Sequence, residues 1–64
     1  MLCINGEAVD AGGMKLAAYL EQAGYQSNRV VIELNLKIVP KEAYAELVLK
    51  DGDNLEILSF VGGG

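Results

Sequence analysis

Four stretches of this chain carry residues that could do chemistry. They are a lone thiol at Cys3, the acidic stretch Lys50-Asp51-Gly52-Asp53, lysines scattered at 15, 37, 41 and 50, and the closing run Phe60-Val61-Gly62-Gly63-Gly64. None of the 64 residues is histidine. A Ser-His-Asp or Cys-His arrangement therefore cannot be built, and the commonest general acid/base is missing. A zinc site would lack both histidines and paired cysteines, so no metal site is expected. The chain is expected not to be an enzyme by itself.

The first three stretches have ordinary explanations. Leu2 and Ile4 flank Cys3 at alternate positions and should point inward, leaving Cys3 outward with nothing nearby in sequence to lower its pKa; it reads as inert. "KDGD" lacks both the carboxylate spacing and the closing bidentate Glu of a calcium loop, and reads as a turn. The lysines would matter only if they were targets of self-conjugation, and scattered surface lysines need no such role.

The glycine run is different. Three glycines bury no apolar area and lose more conformational freedom on ordering than any other residue, so they are a poor way to finish a fold. Taken alone, such an end reads equally as a cloning scar or frayed end and as a chain end that enters another protein. Without Cβ atoms the backbone can pass a narrow channel, and three extended residues reach about 10 Å.

The composition bounds the elements that must position this end. Sixty-four residues make one domain, and at 52% apolar the chain can bury a core and is not expected to be disordered. Five basic against nine acidic residues give a net charge of −4, which disfavours nucleic acid and anionic membranes as partners. No apolar run approaches the roughly 20 residues of a membrane span. The start, "MLCIN", shows neither a basic leader nor a signal-peptide core, and one cysteine cannot close an internal disulfide. The expected setting is cytoplasmic and reducing.

Along the chain, "LCINGEAV" reads as two short strands about Asn5-Gly6, the pair best suited to a type I′ hairpin turn. After Gly12-Gly13, Leu16, Tyr19, Leu20 and Ala23 fall at i, i+3, i+4 and i+7, one face of a helix that Gly24 would cap in the left-handed region. "VVIELN" alternates Val30, Ile32 and Leu34 against Val31 and Glu33, a strand with one buried face. A short strand at Ile38-Val39 stops at Pro40, "KEAYAELVL" reads as a crossover opening with a short turn, "KDGDN" turns the chain, and residues 55–61 form the last strand. Tyr25 and Tyr44 read as packing residues.

One amphipathic helix in so short a chain can cover only one sheet face, which predicts a two-layer α+β domain over residues 1–61 with a flexible tail at 62–64. The order of elements fits a β-grasp, a mixed sheet of about five short strands packed on one helix. The last strand would run parallel beside the first, mid-sheet. In it Leu55, Ile57, Ser59 and Val61 alternate against Glu56, Leu58 and Phe60. If the first set faces the helix, Leu58 and Phe60 emerge on the other side next to the tail. Leu58, Phe60 and the adjoining Val61 are the expected partner interface.

The segments "INGE", "ELN..IVP", "LKDGD" and "EI..FVGGG", in this order and over nearly the whole chain, resemble the ThiS family of sulfur carrier proteins of thiamine biosynthesis, which have a ubiquitin-like β-grasp fold. Two departures are visible. The family often has Gly after the Asn of "ELN", where this chain has Leu36-Lys37, so a longer or differently shaped turn is expected. Tyr19 and Ala23 stand where leucines are common.

The resemblance implies a protein cosubstrate that binds no cofactor of its own. A ubiquitin-activating-like adenylyltransferase would join the Gly64 carboxylate to AMP using ATP and Mg²⁺, with Gly62 and Gly63 as the threadable stem. Sulfur from a cysteine-derived persulfide would then displace AMP to leave a terminal thiocarboxylate, delivered to thiazole synthase for thiazole formation. Alternatives are a molybdopterin-synthase sulfur carrier subunit, a ubiquitin-like modifier joined to target lysines, or a plain β-grasp binding module. A ferredoxin is excluded, because one cysteine cannot hold a cluster that needs four.

Overall fold

The first hairpin forms where the sequence places it. Asn5 and Gly6 have φ of 51° and 82°, the paired left-handed conformation of a type I′ turn. They join β1 (Leu2–Ile4) to β2 (Glu7–Val9) in antiparallel register, Leu2 opposite Val9 and Ile4 opposite Glu7. The computed structural model describes residues 1–60, and Val61, Gly62, Gly63 and Gly64 lie outside the described residues. Within that range follow α1 (Leu16–Ala23), β3 (Val30–Leu34), β4 (Lys37–Val39) and β5 (Asn54–Ser59). A single 3₁₀ turn at Ser27–Arg29 precedes β3, and another at Lys41–Ala43 opens the crossover.

The sheet order is β2-β1-β5-β3-β4. The last strand is thus central, parallel to β1 and antiparallel to β3, with Ile4 opposite Leu55 and Ile32 opposite Ile57. The five-stranded mixed sheet with one helix is the β-grasp that the element order predicts. Both outer strands, β2 and β4, are only three residues long. Short edges offer little template for unwanted strand pairing, and Pro40 ends β4 outright.

One sheet face makes the core. Leu2 and Ile4 of β1, Val30 and Ile32 of β3, and Leu55 and Ile57 of β5 are buried, and Leu16 and Leu20 of the helix join them. The loops contribute Ala11, Tyr44 and Leu49. Among the described residues no polar side chain other than the Tyr44 phenol is buried. The helical face is narrower than the spacing predicts: Tyr19 is half-buried and Ala23 is exposed. Ala23 sits one residue before the cap, where the helix ends and the chain turns away. Gly24 takes φ 88° there, and its N–H and that of Tyr25 close on the carbonyls of Glu21 and Leu20.

At its other end the helix has no side-chain cap; the residue before it is Lys15. The crossover supplies the missing acceptors. Leu16 N donates to the Leu47 carbonyl at 2.8 Å and Ala17 N to the Tyr44 carbonyl at 3.0 Å. Helix and crossover therefore satisfy each other's backbone, since the first N–H groups of a helix have no partner inside it. Burial pushes the Tyr44 phenol above its usual pKa, partly offset by a backbone hydrogen bond from Ile32.

The second hairpin corrects the sequence reading of its turn. Asn35 and Leu36 alone join β3 to β4, with φ of 51° and 72° and Leu34 opposite Lys37. The turn is neither longer nor of another shape than an Asn-Gly turn. The register between Ile32 and Val39 keeps both on the core face, and a longer loop would release it. Leu36 accepts a left-handed backbone instead, with its side chain 86% exposed.

Candidate functional site

The candidate site is where the central strand leaves the sheet. β5 pairs with β3 from Leu55 to Ser59 and with β1 at Asn54 and Leu55, and Phe60, the last described residue, donates its backbone N–H to the Arg29 carbonyl at 2.9 Å. On the β3 side the backbone is thus paired up to the last described residue. Val61, Gly62, Gly63 and Gly64, the proposed end of the interface and the proposed reacting tail, lie outside the described residues.

Two asparagines fasten β5 at its start and its middle. Asn35 accepts from the N–H of Asn54 through Oδ1 at 2.9 Å and donates through Nδ2 to Oδ1 of Asp53 at 3.2 Å. Asn5 accepts from the N–H of Ile57 at 2.7 Å. Each is the first residue of a type I′ turn, so one residue type serves the turn conformation and the cross-link together. The sequence reading used Asn5 only for its turn and gave Asn35 no role. The signal was present in the pair of Asn residues at matching hairpin positions, but their partners are 52 and 19 positions away.

The outer sheet face, away from the helix, carries the remaining candidates. Leu58 is 56% exposed and Phe60 61%, on the side that strand alternation places opposite Leu55 and Ile57. Val31, half-buried, stands across from Leu58, and Glu33 stands across from Glu56. Ile38 of β4 lies opposite Glu33 and is 67% exposed. The sequence reading put Glu56, Leu58 and Phe60 on this face and did not place Val31, Glu33 and Ile38 beside them, because those join the face only through strand pairing.

The other chemical candidates stay apart from this exit. Cys3 is half-buried in β1 between Ala8 and Asn54. In the acidic stretch, Asp53 spends both carboxylate oxygens inside the fold, Oδ2 accepting from Lys50 N and Oδ1 from Asn35. That makes it a turn, with Gly52 at φ 89°. Among the described residues no cluster of three acidic or cysteine side chains could hold a metal ion. Lys41 Nζ donates to the Asn28 carbonyl at 3.1 Å. No helix of the described residues is long and apolar enough to cross a membrane.

Comparison with known proteins now decides the family. The family model described as "ThiS family" matches residues 2–64. The chain belongs to the ThiS family. It is 40% identical to the sulfur carrier protein ThiS of Bacillus subtilis over 70 aligned positions, covering all of both chains. The crystal structure of a thiamine biosynthesis protein (ThiS) from Geobacter metallireducens has the same fold, with a TM-score of 0.77 at 36% identity over 98% of this chain and 97% of that one. A protein named thiazole synthase from Paramagnetospirillum magneticum is 47% identical over 98% of the chain, which matches only 20% of that protein's length. A second thiazole synthase, from Magnetococcus marinus, is 34% identical, with 19% of its length matched. The chain thus spans about a fifth of these two relatives.

Proposed function

We propose that the chain carries sulfur on the carboxylate of Gly64 and gives it up for thiazole formation. An adenylyltransferase related to ubiquitin-activating enzymes bonds the carboxylate to the α-phosphate of ATP, Mg²⁺ assisting, and pyrophosphate leaves. A cysteine-derived persulfide then attacks the Gly64 carbonyl and displaces AMP. A second thiol cleaves the resulting S–S bond and leaves a terminal thiocarboxylate. Thiazole synthase takes the sulfur as the acceptor, in keeping with the relatives of that name that contain a segment like this chain. The chain is the cosubstrate in each step, and the ATP and Mg²⁺ belong to the activating partner.

The observation that supports this reading is the central β5, paired with β3 up to Ser59, with Leu58 and Phe60 exposed shortly before Gly62-Gly63-Gly64 in the sequence. Glycines leave a terminal carbonyl unhindered for a bulky sulfur nucleophile. Intact mass after incubation with the activating enzyme, ATP, Mg²⁺ and a sulfur donor tests it. Replacement of one oxygen by sulfur is expected in the chain and in no sample lacking Gly64. An unchanged mass beside a demonstrably active activating enzyme would overturn the reading.

A further inference from the structure

Glu33 and Glu56 stand directly opposite each other on antiparallel β3 and β5, on the sheet face turned away from the helix. Side chains so placed have Cβ atoms about 4.5–5.5 Å apart, and like charges there weaken the pairing of the strands. Among the described residues the ion pair is that of the N-terminal amine with Asp51 at 3.4 Å, and neither Arg29 nor Lys37 pairs with the two carboxylates. Two carboxylates without an ion-pair partner among the described residues thus stand on adjacent strands.

Their neighbours are apolar. Ile38 lies opposite Glu33 on its other side, and one step along the strands Val31 faces Leu58. Exposed apolar groups gain by being covered, and the two carboxylates gain by receiving a cation. A second copy of this chain satisfies only the first demand, since it would bring two further carboxylates on a chain of net charge −4. The occupant that satisfies both has an apolar surface with one basic side chain at its centre.

We propose that Glu33 and Glu56 together receive one arginine or lysine of the thiazole synthase, whose surrounding apolar surface covers Val31, Ile38 and Leu58. This rests on the preceding reading of the synthase as acceptor. It is the occupant of choice because the matched segment in the two longer relatives shares its chain with the remainder of a thiazole synthase. An acidic pair on this face steers a cationic partner onto it.

The test compares the full chain with its Glu33→Gln/Glu56→Gln variant, using Glu21→Gln on the helix as control. Affinity for the synthase is measured between about 0.01 M and about 0.15 M salt, over which the screening length falls from about 30 Å to about 8 Å. Thermal midpoints are taken alongside. The double variant is expected to melt no lower than the native chain, to bind about tenfold more weakly at the lower salt, and to lose most of the salt dependence. The control should bind as the native chain does. Native affinity and an unchanged salt slope in the double variant would overturn this surface and leave the acceptor intact. Failure of the native chain itself to bind the synthase, while still becoming thiocarboxylated, would overturn the acceptor and this surface with it.

Discussion

The side-chain Oδ1 of Asn5 accepts a hydrogen bond from the backbone N–H of Ile57 at 2.7 Å. In the parallel ladder between β1 and β5, Cys3 N donates to the Asp53 carbonyl and Asn5 N to the Leu55 carbonyl, each at 2.9 Å. Were β1 to continue, Ile57 N–H would find the carbonyl of residue 5. The chain has instead entered its type I′ turn, and the Asn5 side chain stands in for that carbonyl. The substitute lets β1 end early while Ile57 of the central strand stays paired.

Replacing Asn5 separates its two tasks. Asn5→Ala leaves the part-buried Ile57 N–H unpaired and puts a residue with a Cβ and no local hydrogen bond into the left-handed region, for a combined loss of about 2–4 kcal/mol. Asn5→Gly keeps the turn and loses only the hydrogen bond, costing about 1–3 kcal/mol. Urea unfolding gives the totals, and amide exchange at Ile57 should quicken in both variants. Equal stability of native and Asn5→Ala would show the bond to be dispensable.

Leu36 offers the opposite opportunity. Its φ of 72° is one that leucine adopts at a cost, and its exposed side chain returns almost no burial. Leu36→Gly should therefore raise stability by about 0.5–1 kcal/mol, the relief of strain exceeding the extra backbone freedom that glycine gives the unfolded chain. A higher urea midpoint at unchanged slope is the expected result, and a lower midpoint would refute the strain argument.

Tyr44 predicts an alkaline limit. Its phenol is buried and its pKa is raised in the folded state by desolvation, so folding favours the protonated form. The stability this contributes is fully present below the unfolded tyrosine pKa of about 10 and is lost as pH rises through the higher folded value. Unfolding curves of native chain and Tyr44→Phe from pH 8 to pH 11 should differ in slope against pH, the native chain falling more steeply at the alkaline end. Parallel curves would contradict the assignment. The comparison with Phe isolates the contribution of this group.

Local signals made the fold legible. Asn5-Gly6, the heptad-like spacing of Leu16 and Leu20, Gly24 and the alternation in residues 30–34 each encode a conformation within a few positions. The helix N-terminus was not legible in this way, because the Lys15 side chain caps nothing and the acceptors come from Tyr44 and Leu47, about thirty positions on. The Asn35-Leu36 turn was misjudged because tertiary register overruled the leucine's backbone preference. At the candidate site, alternation sufficed to turn Leu58 and Phe60 outward. The Glu33–Glu56 pair and its neighbour Ile38 depend on which strands meet, and no local pattern states that.

The exposed apolar pair before the glycine run gives the sharpest separation of function from stability. Leu58 and Phe60 have over half of their surface in water, so truncation to alanine removes little buried area and creates no cavity. Leu58→Ala and Phe60→Ala should each change stability by no more than about 0.5 kcal/mol. If the pair docks a partner, each truncation should also slow sulfur loading or transfer, raising the concentration of carrier needed for half-maximal rate while leaving the rate at saturation nearly unchanged. Loading by the activating enzyme and transfer with thiazole synthase are measured separately, so that the step that weakens identifies which partner uses these side chains. Native kinetics in both steps for both variants would remove the pair from the interface.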